Sequence, residues 1–199
     1  MVRDTAATKQ KLLRAARREF AALGVAGARV DRIAELAGVN KERLYGHFGS
    51  KEGLFAAVVS AAMDELTEEV GEPGEDVAAW VGSVYDFHRE RPELLRLLLW
   101  EALSRDGDEL PGEQGRADRY ARKVDALSER LGVEPGPRTA VALLSLIGLA
   151  AWPNSVPQLT RLIVGPHLGT DDTSDVVRSA VVELASGLVK GVRETGTAG

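Results

Sequence analysis

Residues 30–48 read VDRIAELAGVNKERLYGHF. Ile33, Ala34 and Ala37 fall at helical spacing, and Gly38 stops that helix because glycine accepts the left-handed conformation at a helix end. Val39 can fill the gap between two helices. Asn40 can cap the next one, from Lys41 to Phe48. A short helix, a tight turn and a second short helix make the helix-turn-helix arrangement, whose second helix lies in a DNA major groove. The same turn also occurs in plain bundles with a polar face in solvent, and by itself it does not separate the two readings.

Upstream, Thr8 to Leu23 reads as a helix that braces the pair with Leu12, Leu13, Ala16 and Phe20, and Gly24 is its natural stop. Its Lys9, Lys11, Arg14, Arg17 and Arg18 lie mostly on other faces. Lys41, Arg43, Tyr45, His47 and Lys51 supply donors suited to phosphates and base edges. Charge favours the DNA reading. Residues 1–55 hold eleven Lys/Arg against six Asp/Glu, a net +5, whereas 56–199 hold fourteen against twenty-four, a net −10. A basic end suits a polyanion.

Downstream, almost everything reads as helix. Ser50 is a candidate N-cap for a helix through Val70, with the stripe Leu54, Phe55, Val58, Val59, Ala62, Met63 and Leu66. GEPGED (71–76) breaks it, helix resumes from Asp76 to Arg89, and Pro92 opens a helix whose Leu-rich sequence is apolar nearly all round, which suggests burial on several sides. RDGDELPGEQG (105–115) reads as a polar loop, followed by a charged helix from Arg116 to Leu131. TAVALLSLIGLAAW (139–152) is the most apolar stretch, with Pro153 and Pro157 expected to end it, and a last helix runs from Asp172 to Arg193 with Val177, Ala180, Val181, Leu184, Leu188 and Val192 on one face. The fold class is therefore all-α. An N-terminal three-helix helix-turn-helix domain (1–52) precedes a helical bundle (53–199).

The chain has 199 residues, no cysteine, no apolar leader and no apolar run of about 18 residues. These features point to the cytoplasm and to no membrane contact. No Gly-rich phosphate loop, metal-spaced acid/His set or nucleophile motif is visible. No catalytic residue, metal or cofactor is assigned, and an enzyme is not expected.

The stretch KLLRAARREFAALGVAGARVDRIAELAGVNKERLYGHFGSKEGL (11–54) resembles the tetracycline-repressor (TetR) family of bacterial regulators. The similarity rests on AA…F…G in the first helix, IAELAGV in the second, and LYGHFGSKEGL after the turn. It covers about a quarter of the chain; the remainder is similar only in general layout. The resemblance implies that Tyr45 and His47 touch the DNA backbone, that Lys51 reaches a phosphate at a helix N-terminus, and that Phe48 is core. Asn40 stands where the family usually has Ser or Thr. Lys41, Glu42 and Arg43 are candidates for base reading: Arg43 could pair with guanine and Glu42 could accept from cytosine, although an acid in a first turn also stabilises a helix without touching DNA. Arg29 replaces a Thr or Ser that caps the second helix; it can bind phosphate but cannot cap. Gly46 costs roughly 1 kcal/mol inside a helix, and allows either close backbone approach to DNA or a looser helix.

The resemblance further implies a homodimer through the last two helices, about 139–152 and 172–193, which also carry too much apolar surface for one small core. A dimer would read a palindromic operator in double-stranded DNA. It implies a small-molecule effector pocket as well, for which Met63, Trp80, Tyr85, Phe87, His88, Trp100 and Trp152 are candidates, although aromatic residues at helical spacing are more often core. The expected function is a repressor released from its operator by a ligand. The alternative is a sequence-tolerant architectural DNA binder without a ligand.

Overall fold

The computed structural model describes residues 2–104, 112–168 and 172–196, with side chains from Ala6 to Glu194 within those ranges. These residues form α1 (Val2–Gly27), α2 (Val30–Ala37), α3 (Lys41–Phe48), α4 (Lys51–Val70), α5 (Val77–Glu90), α6 (Glu93–Ser104), α7 (Glu113–Leu131), α8 (Pro137–Ser155), α9 (Pro157–Val164) and α10 (Thr173–Gly196). A 3-10 turn, Gly165–His167, follows α9. The chain divides into two compact units, Met1–Glu65 with Glu93–Glu113, and Leu66–Pro92 with Gln114–Gly199.

The first unit is built on α1, which packs against α2 and α6. Its fully buried side chains include Leu12, Phe20, Ile33, Leu44, Leu54, Leu94 and Leu97. Phe20 meets Phe55 edge to face at 5.2 Å, the arrangement that ring quadrupoles favour. The α1 helix breaks where the sequence places its stop: Gly24 has φ 67° and ψ −178°, a conformation open almost only to glycine. The Trp100 ring of α6 lies directly against it, so that a Cβ on Gly24 would sit 2.8 Å from ring carbons. The Trp100 indole N–H donates to the Ala21 carbonyl at 3.4 Å.

The second unit packs α5, α8 and α10 on one another around Val81, Leu146, Ala150, Val181 and Ala185, with Leu127 and Leu131 of α7 in the same core. The Tyr85 hydroxyl donates to the Ser174 carbonyl at 3.3 Å, and Arg178 Nε donates to Asp86 at 2.7 Å. Both contacts fasten α5 to α10. Buried Lys123 on α7 donates to Glu72 at 3.1 Å and to the Gly71 carbonyl at 3.4 Å, tying down the α4–α5 connection.

Four sequence expectations need correction. Pro153 does not end α8 but lies inside it. Its missing N–H leaves the Leu149 carbonyl without its i+4 backbone donor one turn from the helix end, where the loss is smallest, and the Asn154 and Ser155 side chains bond back to the Ala150 and Ala151 carbonyls. Pro157 then opens α9, a helix the two prolines concealed. The polar segment 105–115 is shorter than expected: 105–111 lie outside the described residues, and α7 already begins at Glu113. The leucines of α6 are not buried all round, since Leu94, Leu95 and Leu97 are buried but Leu99 and Leu103 are exposed.

No single helix among the described residues is long and apolar enough to cross a membrane; α8 and the α9 segment pass that test only together, across an 88° bend.

Gly24→Ala adds left-handed strand-like strain and a clash with Trp100. It is expected to lower unfolding free energy by roughly 1–3 kcal/mol, measured by urea denaturation against wild type; an unchanged midpoint would refute this account of the break.

Candidate nucleic-acid interface

The α2–α3 turn is closed by backbone chemistry. Gly38 adopts φ 68°, ψ 37°; its N–H donates to the Glu35 carbonyl and that of Val39 to the Ala34 carbonyl, both at 3.0 Å. These bonds satisfy carbonyls that a helix end leaves open. Asn40 then caps α3, its Oδ1 accepting from the Arg43 N–H at 3.0 Å. Leu44 is the one buried side chain of α3. Lys41, Glu42, Arg43 and Tyr45 are exposed and His47 is half-buried, so the candidate contact residues share the outward side of one short helix. Nothing lies within 4 Å of where a Gly46 Cβ would be; packing within the chain does not require glycine there.

The α3–α4 corner sets Lys51. Gly49, at φ 72°, donates to the Tyr45 carbonyl at 2.8 Å, and Ser50 Oγ accepts from the Gly53 N–H at 2.9 Å, as expected of an N-cap. A Cβ on Gly53 would fall 2.3 Å from the Phe48 carbonyl oxygen, so the corner is too tight for any side chain at 53. Phe48 is half-buried rather than core, because it ends α3 at this corner and not beneath it. Lys51 occupies the first residue of α4, where its Nζ donates to the Ala26 carbonyl at 3.4 Å.

At the start of α2, Arg29 provides no side-chain cap. The cap comes instead from Glu19 of α1, a buried carboxylate that the sequence reading did not single out. Its Oε1 accepts from the Arg29 N–H at 3.4 Å and its Oε2 lies 3.3 Å from Arg32 Nε. A carboxylate at a helix N-terminus also opposes the helix dipole. The Arg29 side chain is left exposed. Lys41 pairs with Asp31 across the turn; that hydrogen bond, partly opposed by desolvation, raises the Lys41 pKa above its ordinary value.

Residues 12–58 match the family model described as bacterial regulatory proteins, tetR family, and residues 76–186 match that of the tetracyclin repressor-like C-terminal domain. The chain belongs to the tetR family.

Within the tetR family, the HTH-type transcriptional repressor SCO4008 of Streptomyces coelicolor is 41% identical over 184 residues, covering 89% of this chain and 95% of that protein. The crystal structure of the transcriptional regulator SCO4942 from the same species superposes with a TM-score of 0.71 at 30% identity, covering 91% and 97% of the two chains. The fold is shared, at 20% identity and a TM-score of 0.62 over 89% and 97%, by AibR, whose structure is in complex with isovaleryl coenzyme A and operator DNA. This chain is accordingly a helix-turn-helix transcriptional regulator.

The seven residues considered for an effector pocket are divided between the units of this tetR-family chain. Met63 and Trp100 belong to the first, and Trp80, Tyr85, Phe87, His88 and Trp152 to the second. The polar atoms of Trp80, Tyr85 and Trp100 are already occupied by backbone carbonyls. Phe87 and Met63 are buried, and Trp152 is 57% exposed. His88 is different: it is buried, and its Nδ1 has no partner among the described residues.

Burial lowers the His88 pKa to about 4. The unfolded chain therefore takes up a proton below about pH 6.5 that the folded chain refuses until about pH 4, so the stabilisation present above pH 6.5 is lost as pH falls to 4. Urea unfolding of wild type against His88→Gln across that window should show a loss on the order of 3 kcal/mol that the variant lacks; parallel curves would contradict it.

Proposed function

We propose that this regulator is a homodimeric repressor that binds a palindromic operator through α3 and leaves it when a small molecule binds the second unit. The observation that carries the proposal is the make-up of α3, a capped helix that buries Leu44 and turns Lys41, Glu42, Arg43, Tyr45 and His47 outward. Arg43 and Lys41 are the base-reading candidates, with Lys41 exchanging Asp31 for DNA. Glu42 either accepts from cytosine or only stabilises the first turn of α3. Tyr45, His47, Arg29 and Lys51 hold phosphates, and Asn40 contributes by fixing the start of α3. Residues 1–52 thus carry DNA binding and 53–199 regulation and pairing.

Dimerisation is supported by the face that α8 and α10 leave open. Leu144 is 70% and Leu184 59% exposed, beside an apolar groove of about 680 Å³ lined by Leu149, Trp152, Ala180 and Leu188. A dimer paired through such faces carries two α3 helices, one for each half-site of a palindrome. For the effector, His88 is the favoured contact, because a buried unpartnered nitrogen is costly until something reaches it. A ligand that prefers the DNA-free arrangement weakens DNA binding by its own preference ratio, and DNA weakens ligand binding equally. The reading places the protein in the cytoplasm, with no metal, cofactor or catalytic step.

Selection of bound duplexes from a random pool at near-physiological salt tests the proposal. A palindromic site should emerge, and Tyr45→Ala and Lys51→Ala should each weaken it, Lys51→Ala by roughly ten- to hundred-fold for a lost charged contact. Binding with a steep salt dependence but no enriched sequence would favour the architectural alternative.

A further inference from the structure

The cations of α1 divide into two groups. Arg17 is half-buried and pairs with Glu65 at 2.5 Å. Lys11, Arg14 and Arg18 are exposed and, at i, i+3 and i+7, share one face of the helix. No carboxylate among the described residues pairs with these three, whereas Arg17, Arg32 and Lys41 of the same unit each have an acid partner.

The three cations form one wall of a cleft of about 510 Å³, with buried Ala15 beneath them. The opposite wall is the end of α2, from Glu35 to Gly38. Gly38 is two residues from Asn40, the cap of α3, so the cleft adjoins the turn that feeds the reading helix. Glu35 is the one acid of the lining, against three cations, within the segment whose net charge is +5.

We propose that this cleft is a second DNA-contact surface, in which Lys11, Arg14 and Arg18 hold backbone phosphates of the duplex flanking the sequence that α3 reads. The site rests on α3 being the reading helix. From Lys11 to Arg18 the row rises about 10 Å, the rise of three nucleotides on one strand. Flexible point charges in a row neutralise successive phosphates without reading bases. Exposed Leu36 at the cleft edge offers apolar contact to a sugar face. The surface thus lengthens the footprint and adds affinity that depends on salt and not on sequence.

The test uses the full-length protein and two versions of the selected operator, one trimmed to the enriched sequence and one extended on both sides by arbitrary sequence. Fluorescence anisotropy across a salt series should show wild type binding the extended duplex more tightly. The variant Lys11→Ala/Arg14→Ala/Arg18→Ala should lose that advantage, roughly ten-fold or more, with the salt slope falling by about 0.9 for each phosphate contact removed. Its binding to the trimmed duplex should be unchanged, and Lys11→Arg/Arg14→Lys/Arg18→Lys should keep the advantage. An alanine variant with wild-type affinity and slope on the extended duplex overturns the site and leaves the cleft to an acidic polypeptide. A wild type that selects no duplex refutes the reading of α3 itself, and this site with it.

Discussion

An eight-residue helix does not persist alone in water, and α3 has only Leu44 to anchor it. The position of α3 depends on that one buried leucine and on what holds the two ends of its helix. At one end are the left-handed Gly38 and the Asn40 cap. At the other, Ser50 and Gly53 form a corner with no room for a Cβ. Because α3 buries only Leu44, most of its side chains stand at the surface, where Lys41 pairs with Asp31. The same economy makes α3 sensitive to its neighbours: α1 supplies both the packing behind the pair and, through Glu19, the cap of α2.

Local chemistry was legible in the sequence. Gly38, Asn40 and Ser50 act through residues within a few positions of themselves, and each does in the structure what its type and place imply. The features that escaped depend on distance through space or on compensation. Glu19 meets the start of α2 ten residues later, and nothing in the periodicity of α1 separates it from a solvated acid. Gly53 looks like an ordinary helix residue until the Phe48 carbonyl is placed beside it. Pro153 reads as a terminator because a proline usually stops a helix, yet two residues from the end of α8 it costs one backbone bond and the helix runs on to Ser155.

The stripe of the last helix shows a further limit of pattern reading. Val177, Ala180, Val181, Leu184, Leu188 and Val192 appear as one apolar face, but the structure divides them. Val177 and Val181 are buried within the chain, while Ala180 and Leu184 face outward. The α8 helix divides in the same way, burying Leu143 and Leu146 and exposing Val141 and Leu144. A stripe wider than its own core needs is what a helix carries when it packs against two things at once. Side chains of the proposed effector pocket are also split in their duties: most are spent on packing and backbone contacts, and His88 alone keeps a buried nitrogen unmatched.

The proposed pairing of the chain through the open α8–α10 face would give the regulator two copies of α3, and sedimentation velocity tests it most directly. Wild type and Leu144→Glu/Leu184→Glu would be compared alone and on the selected operator duplex. The account predicts two chains per particle for wild type, free and on DNA. It predicts a single, still helical chain with greatly weakened operator binding for the charged variant. A wild type that binds its operator as one chain, or a charged variant that remains paired, would contradict it.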